Sequence, residues 1–237
     1  MVAGARKVRL GDVGPRGRLR LDAVARYAQD LSADDTADAA LPDAESWVVR
    51  RTVIEVRRSP RYLEPLALAT WCAGIGSHYA ERRVEIVGEG EGQVEVATLW
   101  VHVDHRSGRP RKLGPGFEAL YGAAAGGRRV KARLLHGNPP AEPTERWPWP
   151  LRATDADLLQ HINNAACWEI VEEVLSTRPH LRAPLRAELE HRTSLEPGAS
   201  VEVLVADGGG ASPGVALWVL ADGAVAVTAI VAPLAAS

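Results

Sequence analysis

The chain repeats itself loosely, and this repeat limits what it can fold into. Three pairs of segments resemble one another and keep their order along the chain: 8–30 with 151–173, 63–71 with 195–203, and 97–104 with 215–222. Self-similarity of this kind is typical of a structural unit that occurs twice. A chain of 237 residues has room for two small units or one large one. The sequence therefore predicts two copies of one unit.

Each copy has the pattern of a strand, a loop, one helix and then a run of strands. The first helix is predicted after Asp22, and the second after Asn163 or Asn164, ending before Pro179. Strands are predicted where apolar alternation lies between turns: 46–58, 66–76, 78–88 and 92–104, then 185–194, 199–207, 214–222 and 224–233. A helix followed by antiparallel strands predicts an α+β fold in which a sheet wraps around a long helix.

A proline-rich segment separates the two copies. Residues 134–150 contain five prolines and are predicted to be a linker. The predicted units are then 1–133 and 151–237, packed together as a pseudo-dimer within one chain. A glycine-rich turn is also predicted at 207–214.

The composition excludes several classes of protein. No apolar run reaches the ~18 residues of a membrane helix, and the N-terminus lacks a signal-peptide pattern. The net charge is −2, the pI is about 6.4, and aromatic residues are not interleaved with the basic runs, so nucleic acid is not an expected partner. Cys72 and Cys167 have no metal-ligand spacing and are predicted to be reduced thiols. We expect a cytoplasmic protein, and the arginine-rich composition is typical of a GC-rich bacterial genome.

One stretch carries more polar groups than local structure requires. Residues just ahead of the second predicted helix include Asp155, Asp157, His161, Asn163 and Asn164. Capping a helix needs one such residue. The surplus of carboxylate, imidazole and amide groups indicates a site for acid–base chemistry at the start of a helix.

Other catalytic patterns are missing from the sequence. It has no G-x-S-x-G elbow of the α/β-hydrolases. Its "GEGEGQ" run is a predicted hairpin turn without a following helix, so no dinucleotide site is implied. No His/Cys cluster predicts a metal, and no cofactor is expected.

Three segments carry a resemblance to a known family. "TWCAGIGSHYAERRVEI" (70–86), "LWVHVDHRSGRPRKL" (99–113) and "DADLLQHINN" (155–164) are similar to blocks of the acyl-acyl carrier protein thioesterases of plants and bacteria. The resemblance covers roughly residues 5 to 232. It implies two tandem hotdog units and the hydrolysis of fatty acyl thioesters on acyl carrier protein. It also implies that the second unit supplies the catalytic loop.

The family motif is only partly present. The plant enzymes have Asp-x-Asn-x-His in the catalytic loop, which matches Asp157 and His161 here but finds Leu159 at the middle position. The family also has a Glu-Cys pair on a following strand, where this chain has Ser194 and Leu195. A cysteine nucleophile therefore has no support.

The resemblance and the chemistry together give roles to the loop residues. Asp157 is the candidate base or nucleophile, with His161 assisting and Asn163 as a third catalytic candidate. Three further residues are possible supporting groups: Asn164, Glu190 and Glu196. Asp155 has an equally good structural interpretation as a cap or as a partner of Arg152, His161 alone could be a structural hydrogen bonder, and Cys167 is expected in the core.

The first copy lacks the polar pair, because Gly14 and Arg18 stand where the second copy has Asp157 and His161. We therefore expect the first unit to shape the acyl pocket. Candidate pocket or core residues are large and apolar: Trp47, Trp71, Ile75, Trp100 and Trp168. Candidate docking residues for an acidic carrier protein are basic: Arg82, Arg83, Arg109 and Arg111.

Several alternatives stay open from the sequence. The substrate could be an acyl-coenzyme A thioester, or the protein could bind acyl thioesters without hydrolysing them. A double-hotdog hydratase is a weaker option. The chain could be a monomer with a pseudo-dimer core or a homodimer.

Overall fold

The computed structural model describes residues 2–39, 47–104, 106–208 and 213–234. The strands are β1 (Val2–Lys7), β2 (Trp47–Arg58), β3 (Pro65–Ile75), β4 (Tyr79–Gly88), β5 (Gln93–His102), β6 (Glu145–Trp149), β7 (Leu185–His191), β8 (Val201–Asp207), β9 (Val215–Ala221) and β10 (Ala224–Pro233). The helices are α1 (Leu21–Asp38), α2 (Pro115–Ala125) and α3 (Cys167–Ser176). These strands form one antiparallel sheet in the order β1-β3-β4-β5-β2-β7-β10-β9-β8-β6.

The order of the strands is symmetric about the centre of the sheet. Outward from the central pair, β2, β5, β4, β3 and β1 correspond to β7, β10, β9, β8 and β6. In the central pair, Thr52 of β2 lies opposite Leu189 of β7. The predicted α+β fold with two packed units is therefore confirmed, and continuous backbone hydrogen bonding joins the units.

The topology corrects one of the three repeat matches. The segments 97–104 and 215–222 fall in β5 and β9, yet the counterpart of β9 is β4. Strands buried in the same way share apolar alternation, so a short match between them does not fix which strands correspond. The first match is confirmed, because short 3₁₀ turns at Leu10–Asp12 and Ala153–Asp155 precede α1 and α3 at equivalent places.

The helix α2 was not predicted from the sequence, and the strands ahead of the two long helices, β1 and β6, were predicted without bounds. Part of the predicted linker is thus a strand, in which Trp147 pairs with Val203 of β8. Pro148 misled the prediction, although a proline is tolerated in an edge strand because one side of that strand has no ladder partner. The division at 133 and 151 otherwise stays a prediction.

The two long helices pack against each other on one face of the sheet. The Glu172 carboxylate of α3 accepts a hydrogen bond at 2.7 Å from the backbone N–H of Leu21, the first residue of α1, and pairs with Arg18 at 3.2 Å. Large apolar side chains fill the space between helices and sheet: Leu21, Ile54, Ile86, Trp168, Ile170, Leu175, Leu185, Leu189 and Leu217. Their burial, worth about 1.5–3 kcal/mol for each such side chain, is the main term that stabilises the fold.

The two units differ in length, and this difference creates space in the first. Helix α1 has 18 residues and α3 has 10, while β2 has 12 residues and its counterpart β7 has 7. The extra turns of α1 extend beyond α3, and α2 covers β3 in this region. An interior space therefore lies in the first unit, between α1, the sheet and α2.

Residues 209–212 of the predicted turn at 207–214, and small parts of both predicted units, lie outside the described residues. Among the described residues, no helix is long and apolar enough to cross a membrane.

Candidate active site

The polar stretch ahead of α3 has a structural part. Asp155 is buried and accepts hydrogen bonds from the backbone N–H of Arg152 at 2.9 Å and from its guanidinium at 2.8 Å. In the first unit, Asp12 likewise accepts from the backbone N–H of Arg9 at 2.9 Å. The structural interpretation of Asp155 is confirmed, because the same contact closes the same turn in both units.

Asp157 and His161 lie at the two ends of a tight turn. The backbone N–H of Asp157 donates to the carbonyl of His161 at 2.9 Å, and the N–H of Gln160 donates to the carbonyl of Asp157 at 3.0 Å. The Asp157 carboxylate accepts from the backbone N–H of Leu159 at 2.9 Å. This turn holds Asp157 and His161 side by side along the backbone, on an outer surface of the second unit.

The carboxylate closest to the His161 imidazole belongs to Glu196. The His161 Nε2 lies 3.5 Å from the Glu196 Oε1, whereas no hydrogen bond or ion pair joins His161 to the Asp157 side chain. The His161 side chain is 46% exposed and the Glu196 side chain is 56% exposed. The imidazole therefore faces solvent, where a large partner could reach it.

The segment that presents Glu196 occupies the place of the family's Glu-Cys pair. Leu195 is buried, and its carbonyl accepts from the backbone N–H of Ile162 at 2.8 Å, which fastens this segment to the loop. The Ser194 hydroxyl donates to the Glu196 carboxylate at 2.7 Å. The sequence placed Glu196 among the supporting groups without a partner, and the structure gives it His161 and Ser194 as neighbours.

Asn163 and Asn164 have different surroundings. The Asn163 Oδ1 accepts from the backbone N–H of Ala165 at 2.8 Å, so Asn163 caps the turn that leads into α3. The helix itself begins later, at Cys167, and neither asparagine is its N-cap residue. The prediction that α3 begins directly after Asn163 or Asn164, with one of them as its cap, was therefore wrong by one helical turn. Asn164 instead lines an interior cavity, and within the described chain its side-chain amide and backbone N–H have no protein hydrogen-bond partner.

Two adjoining cavities extend from Asn164 into the first unit. The smaller lies between α1 and the sheet, with Asn164 and Trp168 in its wall. The larger has a volume of about 360 Å³ and lies further along α1, next to α2. Gln29, Ser32 and Trp100 line both cavities. The smaller cavity has a volume of only about 30 Å³, and we call the two adjoining cavities together the long cavity.

The predicted pocket residues fall into two groups. Trp47 lines the larger part of the long cavity and Trp168 the smaller part. Trp71 does not line it, because alternation along β3 turns its neighbour Cys72 towards the interior and Trp71 to the opposite face. Ile75 belongs to a separate buried cluster with Cys72, packed under α2.

Helix α2 contributes an aromatic wall that the sequence did not predict. Phe117 lies 5.2 Å from the Trp47 ring and 4.8 Å from the Tyr121 ring, measured between centroids. Pro115 at the start of α2 and Gly126 just after it, with φ of 56°, are the signals that mark this helix. Both residues could have been recognised in the sequence as a helix start and a helix stop.

The far end of the long cavity holds a buried ion pair. Arg82 on β4 points towards α1 and lies 2.5 Å from the Asp35 carboxylate, which also accepts from the Tyr121 hydroxyl at 2.9 Å. Burial and the nearby Asp35 carboxylate raise the pKa of Tyr121. The Arg82 side chain is 11% exposed and lines the cavity. It does not fit the docking role expected from the sequence, because it lies inside the unit.

The other predicted docking residues are on the surface. Arg83 is partly exposed, and its guanidinium pairs with the Glu81 carboxylate at 3.3 Å. Arg109 and Arg111 lie on the exposed segment after β5. These three arginines are placed where a macromolecular partner could contact them.

Glu190 lies away from the loop and anchors the chain ahead of β6. It is fully buried and accepts hydrogen bonds from the backbone N–H groups of Leu135 at 2.7 Å and His136 at 3.1 Å. The sequence named Glu190 as a possible supporting group for catalysis, but Glu190 makes no contact with Asp157 or His161.

One group of side chains has the spacing of metal ligands. Donor atoms of His136, Glu188 and Glu190 lie within 4.8 Å of one another. Two guanidinium groups already balance Glu188, that of Arg51 at 3.6 Å and that of Arg186 at 2.5 Å. Burial lowers the pKa of His136, which keeps the imidazole neutral. We interpret the group as a structural cluster that fastens the connecting segment to the sheet.

The cysteines are not placed for catalysis. Cys167 lies in the core, and burial raises the pKa of its thiol to about 12. Burial also raises the pKa of Cys72, which lines the long cavity. A thiol with a raised pKa is a weak nucleophile near neutral pH.

The symmetric sheet wrapped on two helices is a double hotdog fold, here with a long cavity that opens beside a polar loop. Two family models match the chain: the acyl-ACP thioesterase N-terminal domain over residues 5–121 and the acyl-ACP thioesterase C-terminal domain over residues 140–225. The chain belongs to the acyl-ACP thioesterase family, and it is a thiolester hydrolase.

Individual proteins are similar to this chain in sequence or in fold. The chain is 34% identical over 193 residues to the Mycobacterium tuberculosis "Uncharacterized protein Rv2001", covering 81% of this chain and 77% of the relative. A 12:0-ACP thioesterase from Umbellularia californica has a TM-score of 0.77 at 20% identity, and an acyl-ACP thioesterase from Bacteroides thetaiotaomicron has 0.77 at 15%. Each of these two comparisons covers 98% of this chain and 96% of the other. At these identities the two structures show the fold alone.

Proposed function

We propose that this thioesterase hydrolyses fatty acyl thioesters of acyl carrier protein, releasing the fatty acid and the thiol of the carrier. The observation that carries the proposal is the position of Asn164. It lines the near end of the long cavity and follows His161 in the same loop. An acyl tail in the long cavity would therefore leave its thioester at the loop that bears Asp157 and His161.

In this proposal the second unit, residues 151–237, supplies the chemistry. The Asp157 carboxylate takes a proton from the attacking water, and His161 gives a proton to the departing thiolate. Glu196, 3.5 Å from the His161 Nε2, orients the imidazole. The exposure of this loop suits a substrate whose carrier stays outside the enzyme. The first unit, residues 1–133, supplies the acyl pocket.

The carbonyl oxygen needs hydrogen-bond donors while it gains negative charge. The Asn164 backbone N–H and side-chain amide have no protein partner within the described residues, and Asn164 lines the near end of the cavity. The start of α3 adds the positive end of a helix dipole. Asn163 supports this arrangement by fixing the turn through its bond to Ala165.

The test is a thiol-release assay with purified acyl carrier protein thioesters. We expect Asp157→Asn and His161→Gln each to lower kcat by about 10²-fold or more, because each removes a proton-transfer group. Glu196→Gln should lower kcat less, since it acts through His161. Glu173→Gln, on the exposed side of α3, is the matched control and should keep the wild-type rate.

Two results would contradict the proposal. A wild-type protein that releases no thiol from any acyl thioester would contradict hydrolysis as the function. Full activity of Asp157→Asn would contradict the assignment of the base, while leaving the thioesterase function intact.

The carrier can be tested separately from the chemistry. Charge reversal of exposed Arg109, as Arg109→Glu, should raise KM for the carrier protein thioester several-fold, because acidic carrier proteins are attracted to basic surfaces. The matching coenzyme A thioester, which lacks the protein surface, should be unaffected. Equal effects on both thioesters would contradict a carrier-protein contact at Arg109.

A further inference from the structure

We propose that the long cavity selects acyl chains that carry a neutral oxygen group, such as a hydroxyl, near their far end. This inference rests on the proposed function, because it concerns the acyl tail of the same substrate. It names a specificity subsite made of Arg82 and Tyr121, held by Asp35. Arg82 and Tyr121 line the larger part of the cavity, and neither lines the smaller part beside Asn164.

The subsite is built into the interior. Alternation along β4 points Arg82 to the same face as Val84 and Ile86, which lie in the apolar core. The Arg82 side chain lies between β4 and α1, where it pairs with Asp35 at 2.5 Å. Asp35 is only 7% exposed. A charged pair inside a cavity meant only for hydrocarbon would cost free energy of desolvation and offer nothing to a saturated tail.

Part of the guanidinium stays available to a ligand. It carries five N–H donors. Within the described residues its contacts include the Asp35 carboxylate at 2.5 Å, the Thr70 hydroxyl at 3.3 Å and the Tyr121 ring, whose centroid lies 5.5 Å from the guanidinium carbon. The Tyr121 hydroxyl donates to Asp35 at 2.9 Å and also faces Arg82, and its oxygen has two acceptor lone pairs. An oxygen group on the tail can therefore both accept from Arg82 and donate to Tyr121.

The charge of the subsite favours a neutral ligand group. Asp35 already neutralises Arg82, and both side chains are nearly buried, 9% and 11% exposed. A carboxylate at the end of the tail would add a second negative charge beside Asp35 at low local dielectric. A hydroxyl or keto oxygen adds no charge and completes the hydrogen bonds.

The α1 wall of the cavity has the same character. The α1 side chains along the larger part of the cavity are polar or small: Gln29, Ser32, Ala33, Thr36 and Ala37. The Ser32 and Thr36 hydroxyls donate to the backbone carbonyls of Ala28 and Ser32 at 2.6 and 2.8 Å, and their oxygens can still accept from a hydroxyl on the chain. The opposite wall, with Trp47 and Phe117, is apolar and suits the methylene groups.

The test compares acyl carrier protein thioesters of equal chain length that are saturated, hydroxylated near the far end, or carboxylated at the far end. We expect the wild type to favour the hydroxylated thioester in kcat/KM by about 10-fold or more, because a site that hydrogen-bonds a hydroxyl rejects the analogue that lacks it. The double variant Asp35→Leu/Arg82→Met removes both charges together. It should lower that preference about 10-fold, mainly through KM.

Two further variants keep the test decisive. Tyr121→Phe deletes one hydroxyl and should reduce the preference several-fold even where the double variant fails to fold. Arg57→Met removes an exposed guanidinium, 40% accessible, on β2 and should leave the preference unchanged. A preference for the saturated or carboxylated thioester in the wild type would overturn the inference, as would a preference that persists in both Tyr121→Phe and the double variant.

Binding of the free acids separates this inference from the proposed function. Calorimetric titration with a hydroxylated and a saturated fatty acid of equal length needs no turnover. Tighter binding of the hydroxylated acid, lost in Tyr121→Phe, supports the subsite even in a protein that hydrolyses nothing. Equal binding of the two acids would overturn the subsite, even in a protein that hydrolyses acyl thioesters rapidly.

Discussion

Two adjacent asparagines show how the loop separates structure from chemistry. The Asn163 side-chain oxygen accepts a hydrogen bond from the backbone N–H of Ala165. The Asn164 side-chain amide has no protein partner within the described residues, and Asn164 lines the near end of the long cavity. The sequence placed Asn163 among the catalytic candidates and Asn164 among the possible supporting groups. The structure favours Asn164 for contact with the substrate, because only Asn164 lines the cavity.

This difference predicts opposite effects of two alanine variants. Asn164→Ala should lower kcat by about 10²-fold with little change in stability, because it removes a donor to the carbonyl oxygen. Asn163→Ala should cost about 1 kcal/mol of unfolding free energy, because it removes a capping hydrogen bond. Steady-state kinetics and urea unfolding of both variants measure the contrast. The reverse pattern would contradict the division of roles.

The strand β7 places an ionisable side chain in the interior. His191 is the last residue of β7, and within the described chain its buried Nε2 has no hydrogen-bond partner. Burial, reinforced by the nearby Arg50 guanidinium, lowers the pKa of His191 from 6.5 to about 4. The folded protein therefore holds this imidazole neutral where the unfolded chain would protonate it.

The lowered pKa of His191 predicts a loss of stability in acid. Protonation of His191 favours the unfolded chain, which binds this proton more readily than the folded protein. The contribution of neutral His191 to the free energy of unfolding is therefore fully present above pH 6.5 and is lost as the pH falls towards about 4. The loss amounts to about 3 kcal/mol. Urea unfolding of wild type and His191→Leu across this range should show a smaller decline in the variant.

The exposed His180 provides the control for this measurement. His180→Gln should follow the wild-type pH dependence. A His191→Leu protein whose stability declines as steeply as that of the wild type would show that His191 is not the group responsible.

At the scale of elements, the sequence predicted those elements whose apolar residues recur at regular spacing. Strands with alternating apolar residues, such as β10 over Ala224–Pro233, were placed almost at their true ends. The elements missed were those that alternation does not mark. The bounds of edge strand β6 were missed because the strand contains Pro148, and α2 is rich in alanine and glycine, with mostly exposed residues.

The site was predicted less completely, and for a physical reason. The polar loop was visible because its residues are close in sequence. The Asp35–Arg82 pair joins α1 to β4, and the His161–Glu196 contact joins the loop to the segment after β7. Contacts between distant segments depend on strand register and helix packing, which a single sequence does not reveal.

The whole molecule works as two units that share one sheet. The β2–β7 pair joins them through a backbone ladder in which Arg51 lies opposite Glu190 and Val56 opposite Leu185. The α1–α3 contact adds buried surface on the helix side. Separating the units would expose a long strand edge on each, which is prone to unspecific pairing.

Cutting the connecting segment between 138 and 143 tests this interdependence. We expect each half expressed alone to be insoluble or to self-associate, and the two halves expressed together to form a complex with thioesterase activity. Gel filtration of the separate and combined halves measures the outcome. Two soluble, monomeric, folded halves would contradict a shared core.

The most direct test of the account concerns the path between the units. Ser32 lines both parts of the long cavity, between Asn164 and the far end. Ser32→Phe should block the passage from Asn164 to the larger part of the cavity. The measurement is kcat/KM against acyl chain length for wild type and Ser32→Phe, with folding checked by circular dichroism. The account predicts that the variant keeps activity on the shortest acyl thioesters and loses long-chain activity by about 10²-fold. An unchanged chain-length profile in a folded variant would contradict the claim that the first unit holds the acyl chain hydrolysed by the second.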